Sequence, residues 1–188
     1  MKRVQDFETL YRGNPDPWDY QTSPYERAKY LATLRLVPRR FYGSALELGC
    51  SIGVLSQMLA TRCQSLVAVD ASPTAVGKAR ERRIPNARFV VGVMPRDMPK
   101  QRFDLIVASE FIYYLNAAQL RRLGRILRCT SPGADCVLVS FTGRSNAPLS
   151  GRDATRIFLR DMGAPEHVAD QGKGRFVTAT LKIPALGP

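Results

Sequence analysis

The period of the hydrophobic pattern changes near residue 44. From there on, short runs of β-branched and other apolar residues alternate with stretches in which apolar residues recur every three to four positions. The strands predicted from these runs are 45–48, 66–69, 89–91, 105–108, 136–141 and 175–183, and the predicted helices lie near 53–62, 73–83, 116–129 and 152–162. Strands that alternate with helices predict an α/β fold with a mostly parallel sheet.

Alternation within the last predicted strand assigns its side chains to two faces. The set predicted to point outward is Phe176, Thr178 and Thr180, opposite Val177, Ala179 and Leu181. We therefore expect one face of this strand to be buried and the other exposed.

Residues 1–43 differ from the rest because they hold 8 of the chain's 16 aromatic residues. The run Ser-Pro-Tyr-Glu at 23–26 predicts a helix start, with the serine as cap, the proline at the first helical position and the glutamate reaching back to the cap amide. The helix should end near Val37, before Pro38. We expect 1–43 to form a helical extension, or lid, and 44–188 to form the ligand-binding domain.

The most informative segment joins the first predicted strand to the helix after it. The strand ends in Glu47, and Gly-Cys-Ser-Ile-Gly follows at 49–53. Ligands of open α/β sheets bind at the carboxyl ends of the strands, and glycine lets a backbone approach them closely. The run lacks the middle glycine of a dinucleotide-binding loop, and no phosphate-binding lysine follows it. An acid at this position would repel a pyrophosphate and suit a cationic or amino-bearing ligand.

The second predicted strand ends near Asp70, which lies 23 residues after Glu47. A carboxylate there can accept hydrogen bonds from two ribose hydroxyls. The two acids together suit an adenosyl ligand with an amino group, and S-adenosylmethionine meets both conditions. Here the sequence resembles the class I S-adenosylmethionine-dependent methyltransferases, whose first motif is similar to Glu47-x-Gly49-x-Ser51-x-Gly53 and whose second is similar to Asp70. Ser51 departs from that pattern, which commonly has glycine in the middle.

A second resemblance, to the nodulation protein S family of N-methyltransferases, covers about residues 7–142. The motifs that carry it, besides the first motif, are Asp16-Pro17-Trp18, Ser23-Pro24-Tyr25-Glu26, Lys29-Tyr30, Phe103-Asp104-Leu105-Ile106-Val107 and Glu110-Phe111-Ile112-Tyr113-Tyr114-Leu115. This resemblance implies a Rossmann-like class I methyltransferase fold with an antiparallel last strand. It also implies transfer of a methyl group to an amine of a small molecule or a chitooligosaccharide.

The resemblance implies a set of cofactor-binding residues at the strand ends. Asp70 would hold the ribose, and Val93 and Met94 would flank the adenine. Gly49 and Gly53 would line the methionine part. The full set is Trp18, Tyr25, Glu47, Gly49, Cys50, Ser51, Gly53, Asp70, Ala71, Val93, Met94 and Ser109.

Residues after the fourth predicted strand are the candidates for catalysis. Glu110 is placed to accept a proton from an amine, and Tyr113 or Tyr114 would contact the substrate while the other packs in the core. Trp18 has two interpretations, a cover over the cofactor's sulfonium or a core anchor for the extension. His167 lies outside every motif and is expected at the surface.

The charge and composition leave further alternatives open. With 28 basic and 16 acidic residues, the net charge of +12 keeps an RNA methyltransferase possible, although no nucleic-acid-binding module is recognisable. Another O- or N-methyltransferase of small molecules and a non-catalytic cofactor-binding protein also remain. A single histidine and four scattered cysteines argue against a metal site and favour a reduced cytoplasm. We expect neither a membrane span nor a secretory signal, and the oligomeric state stays undetermined.

Overall fold

A computed structural model describes residues 4–165 and 168–186, so His167 lies outside the described residues. Seven strands form one sheet in the order β3-β2-β1-β4-β5-β7-β6, parallel except for β7, which is antiparallel to both neighbours. The strands are β1 Tyr42–Leu48, β2 Cys63–Asp70, β3 Ala87–Val91, β4 Leu105–Ser109, β5 Asp135–Phe141, β6 Ala169–Gln171 and β7 Phe176–Lys182. The predicted fold, including its antiparallel last strand, is confirmed.

The described residues form six α-helices besides the sheet, and several begin at a residue whose side chain caps the first turn. They are α1 Val4–Gly13, α2 Pro24–Leu36, α3 Val54–Leu59, α4 Pro73–Glu81, α5 Ala117–Thr130 and α6 Gly151–Asp161. Ser72, Asn116 and Ser150 accept a hydrogen bond from the backbone of the first turn of α4, α5 and α6. None of the helices described is long and apolar enough to cross a membrane.

Two apolar clusters cover the two faces of the sheet. Helices α2, α3 and α4 pack on one face, through side chains such as Leu59 and Val76. Helices α5 and α6 pack on the other, through side chains such as Leu123 and Phe158. Because both faces are covered, the central strands are buried on both sides, as in other α/β proteins.

The predicted alternation of the last strand is wrong in its first half. Phe176 and Thr178, expected to point outward, are 4% and 2% exposed. Phe176 packs edge-on against Tyr25 of α2, with ring centroids 6.3 Å apart, so both faces of β7 are covered there. The pattern also gave no sign of β6, which is only three residues long, or of α1.

The side chain of Glu8 joins helix α1 to the start of α4 by hydrogen bonds. The Glu8 carboxylate accepts hydrogen bonds from the hydroxyls of Ser72 at 2.6 Å and Thr74 at 2.7 Å, and from the Thr74 amide at 3.2 Å. The hydrogen bond from Ser72, joined by those from Thr74 and Arg12, lowers the pKa of Glu8 to about 2. The extension is thereby fixed beside the carboxyl ends of β1 and β2.

Candidate active site

A cavity of about 280 Å³ opens where β1, β2 and β4 end, between the sheet and the extension. Four acidic residues line it: Glu26, Glu47, Asp70 and Glu110. None of the described residues in its wall is a lysine, an arginine or a histidine. A strongly basic chain therefore surrounds an acidic cavity, and that contrast favours cationic ligands.

The turn after β1 forms one wall through its backbone. Gly49 and Ser51 both have positive φ values, 77° and 50°, and the amides of Gly49 and Cys50 donate to the Val69 carbonyl at 2.8 and 3.0 Å. A Cβ atom at Gly49 would come within 3.1 Å of the Phe111 ring. Ser51 holds the left-handed conformation that favours glycine, which explains why glycine is common at this position of the family pattern.

Asp70 is held in place by backbone donors. Its carboxylate accepts hydrogen bonds from the amides of Ser51 at 2.8 Å and Ser72 at 2.9 Å. Burial raises the pKa of Asp70, and the hydrogen bonds from Ser72 and Ser51 oppose that shift. A carboxylate has about four acceptor positions, so two donors leave capacity for ribose hydroxyls.

Glu47 is buried, 2% exposed, and the Ser56 hydroxyl donates to its carboxylate at 2.5 Å. Burial raises the pKa of Glu47 to about 8, against the opposing effect of Ser56. The sequence suggests a charged carboxylate, whereas burial favours the protonated acid near neutral pH. A cation bound beside it would draw the pKa down and restore the charge.

A polar cluster of Glu26, Lys29 and Glu110 lies at the other end of the cavity. The Lys29 ammonium donates to Glu26 Oε1 at 2.9 Å and lies 3.3 Å from Glu110 Oε1. Burial alone would lower the pKa of Lys29, but Glu110 and Glu26 together raise it. Lys29 is 2% exposed, so it does not lie on a solvated face of α2. We refer to these three residues as the acidic cluster.

Glu110 is held in an unusual backbone conformation. Its φ is 57°, and its amide donates to the Val139 carbonyl at 2.8 Å. The Tyr113 hydroxyl donates to Glu110 Oε2 at 2.6 Å. Left-handed non-glycine residues of this kind cluster at functional sites, where the surrounding structure supports the strain.

The structure brings most of the predicted residues to the cavity wall. Those that line it are Trp18, Glu47, Gly49, Cys50, Ser51, Asp70, Ala71, Val93, Met94, Ser109, Glu110 and Tyr114. Trp18 also packs against Phe7, Tyr11 and Tyr20, with ring centroids 5.6–6.4 Å apart, so its two interpretations are compatible.

Three predicted residues lie outside the wall. Gly53 faces away, and a Cβ there would meet Ala79 at 3.0 Å, so it permits close helix packing instead. Tyr25 packs against Phe176 of β7, and Tyr113 is buried and contacts two wall residues, Glu110 and Tyr114.

Sequence reasoning missed several wall residues on the extension. Glu26 was assigned to a capping box, but its carboxylate turns towards Lys29 while Ser23 caps the helix. Tyr30 follows Glu26 by four residues, so helical spacing could have placed both on one face. Tyr11, whose hydroxyl lies 2.5 Å from Ser51 Oγ, gave no such signal, because α1 was not foreseen.

The strand order, the left-handed turn after β1 and the acid that ends β2 define the fold of the class I S-adenosylmethionine-dependent methyltransferases. Within that class, residues 10–128 match the family described as Nodulation protein S (NodS), and the chain belongs to this family. Both resemblances found in the sequence are thereby confirmed.

Individual relatives agree with this assignment. The chain is 35% identical to Nodulation protein S of Rhizobium tropici over 147 residues, 74% of this chain and 62% of that protein. It is 38% identical to that of Bradyrhizobium diazoefficiens over 103 residues, 53% of this chain and 49% of the other. The crystal structure of N-methyltransferase NodS from Bradyrhizobium japonicum WM9 with S-adenosyl-L-homocysteine superposes with a TM-score of 0.78, at 25% identity, over 95% of this chain and 98% of that one. The chain thus spans about half to three-fifths of the curated relatives it matches.

Proposed function

We propose that this protein is an S-adenosylmethionine-dependent N-methyltransferase. The observation that carries the proposal is the acidic cavity within a chain of net charge +12. Both the cofactor, with its sulfonium and amino groups, and a protonated amine acceptor are cations. The same wall would repel the phosphates of RNA, which weighs against the alternative that the net charge raised.

The residues at the ends of β1 and β2 fit the cofactor. Asp70 would accept from the ribose, the turn at 49–52 would lie along the amino acid part, and Val93 and Met94 would flank the adenine. S-adenosylmethionine supplies a methyl group activated by its sulfonium. Trp18 presents an aromatic ring to the same cavity, and such a ring attracts a cation.

The acceptor end fits an amine. Glu110 lines the cavity next to Ser109, at the end of β4, and would accept the proton that an ammonium must lose before it can be methylated. Membership of the nodulation protein S family favours the free amine of a chitooligosaccharide as the acceptor. Most of the acceleration would come from positioning the reactants in a site from which water is excluded.

We also propose that residues 1–43 act as a lid. Phe7, Tyr11, Trp18 and Tyr30 all contribute to the cavity wall from this extension. Its release from the α4 terminus would open the cavity for exchange of ligands. The four cysteines, none in a disulfide, support a reducing compartment such as the cytoplasm.

The test is incubation of the protein with methyl-labelled S-adenosylmethionine and a panel of acceptors: partly deacetylated chitooligosaccharides, small amines, hydroxyl analogues and RNA. We expect label in the amines and none in the hydroxyl analogues or RNA. Calorimetry with S-adenosylhomocysteine distinguishes the remaining alternative, because cofactor binding without any transfer would indicate a non-catalytic binding protein. Transfer to RNA would contradict the proposal.

A further inference from the structure

We propose that Glu26 is a specificity residue, which together with Glu110 binds the acceptor as an ammonium ion and so selects amines over hydroxyl acceptors. This inference rests on the proposed function and deepens it. It starts from three features of the acidic cluster: burial, unequal charge and unused hydrogen-bonding capacity.

The acidic cluster contains two acids and one base. Lys29 contacts both carboxylates, and the side chains of Lys29, Glu26 and Glu110 are only 3%, 10% and 15% exposed. When all three are ionised, one negative charge is left without a partner within the cluster. Uncompensated charge is costly at a buried position, so a cationic ligand would stabilise this arrangement.

The unused oxygens point to the same ligand. Glu26 Oε2 and Glu110 Oε1 are buried and make no hydrogen bond of normal geometry, although the Tyr30 hydroxyl lies close enough to Glu26 to oppose the rise of its pKa and the Lys29 ammonium lies 3.3 Å from Glu110 Oε1. Ser109 Oγ, also in the cavity wall, is in the same state. An ammonium has three donors in a compact group, and a hydroxyl has only one. Tyrosines 20, 25, 30, 113 and 114 surround the cluster, and the cation Arg175 lies 5.3 Å from the centroid of the Tyr25 ring, outside the cavity wall.

Lys29 acts as a positioning residue for the two carboxylates. It lies between the two carboxylates, and its own position is fixed by the Tyr25 ring, 5.2 Å from the ammonium. It therefore keeps the two acids close to each other without neutralising both. The acceptor nitrogen would take the remaining positions around Glu26 Oε2 and Glu110 Oε1, and Glu110 would afterwards receive its proton.

The inference can be tested without knowing the natural acceptor. The probes are analogues of S-adenosylmethionine in which nitrogen replaces the sulfur and carries either an aminoalkyl arm or an alkyl arm of the same length, from two to four carbons. Calorimetry measures the affinity of three proteins, the wild type, Glu26→Gln and Glu81→Gln, for each of these analogues. Glu81 serves as the control because it is an exposed carboxylate that pairs with Lys78 on α4, outside the cavity wall.

We expect the wild type to bind the best aminoalkyl analogue at least about tenfold more tightly than the alkyl analogue of the same length, because the ammonium makes charge-assisted hydrogen bonds to the two carboxylates. Glu26→Gln should reduce this preference at least about fivefold, and Glu81→Gln should leave it unchanged. Affinity for S-adenosylhomocysteine shows that each variant is folded.

Two results would overturn the inference while the proposed function stands: equal affinity of the wild type for both arms, or a preference that survives Glu26→Gln, each alongside intact binding of S-adenosylhomocysteine. Failure of the wild type to bind S-adenosylhomocysteine would instead contradict the proposed function and remove the inference with it.

Discussion

The two ends of the cavity are built in different ways. At the cofactor end, consecutive residues of one turn supply the wall through their backbone, and Asp70 is held by the amides of Ser51 and Ser72. At the acceptor end, side chains from α2 and from the loop after β4 meet in the acidic cluster. One end therefore depends on local conformation, and the other depends on how distant elements pack.

This difference predicts how each end can change. A backbone-built site tolerates few substitutions, since a side chain at Gly49 would collide with Phe111. A site built from side chains can change its chemistry by replacing Glu26 or Glu110 while the turn remains intact. We expect a shared cofactor and divergent acceptors among proteins of this fold. Substitutions at each end, ranked by the size of their effect, would test this division.

Glu110→Gln should separate the two ends most clearly. Gln keeps the size of the side chain but removes the charge, so turnover of an amine acceptor should fall about 10²-fold or more while cofactor affinity is unchanged. The loss should shrink as pH rises, because more of the amine is then already neutral. Steady-state kinetics between pH 6 and 9, with Glu81→Gln as the control, would check this. Near wild-type turnover at pH 7 would exclude the role and turn attention to Tyr114.

Asp70→Ala should weaken the binding of the cofactor. The change removes the acceptor for ribose and for two backbone amides, and we expect a loss of about 1.5–3 kcal/mol in binding of S-adenosylhomocysteine. Calorimetry would measure it, with Asp170→Ala as the control because Asp170 pairs with Arg152 at the surface, on the short strand β6. Unchanged affinity would refute the assignment of Asp70.

Glu47→Gln tests the buried acid between the two ends. Because the folded pKa of Glu47 is raised to about 8, its protonated form is favoured by folding, and stability contributed by this group falls as pH rises from about 4.5 through 8. The slope is at most about 1.4 kcal/mol per pH unit. Urea unfolding of the ligand-free protein at several pH values should show a flatter dependence in the variant. An unchanged slope would mean that Glu47 is ionised without a ligand.

Glu8→Gln concerns the attachment of the extension and should have the smallest effect. The pKa of Glu8 is lowered to about 2, so its contribution is complete above pH 4.5 and is lost as pH falls towards 2. At neutral pH we expect the backbone amides of α1 to undergo hydrogen exchange roughly threefold to tenfold faster in the variant, since local opening becomes easier.

A related measurement concerns the extension in the wild type, where bound cofactor should slow hydrogen exchange of the backbone amides from Trp18 to Tyr30. Equal exchange with and without cofactor would identify the extension as static packing.

Six of the seven described strands, the motif after β1 and the acid that ends β2 can be predicted from the sequence. These are local properties: strand and helix periodicity appear within a few residues, and a left-handed turn requires small residues at fixed positions. Spacing singled out Glu47 and Asp70, the family resemblance added Gly49 and Ser51, and all four line the cavity; their binding of the cofactor stays a prediction.

The residues that pack against each of these elements follow from the folded arrangement and not from the local sequence. The cap at Ser23 predicts where α2 begins, but it does not show that Glu26 and Lys29 meet Glu110 from the end of β4. In the same way, alternation in β7 could not foresee that Tyr25 would cover Phe176. Contacts between residues far apart in the chain depend on how whole elements pack, and no short stretch of sequence contains that information.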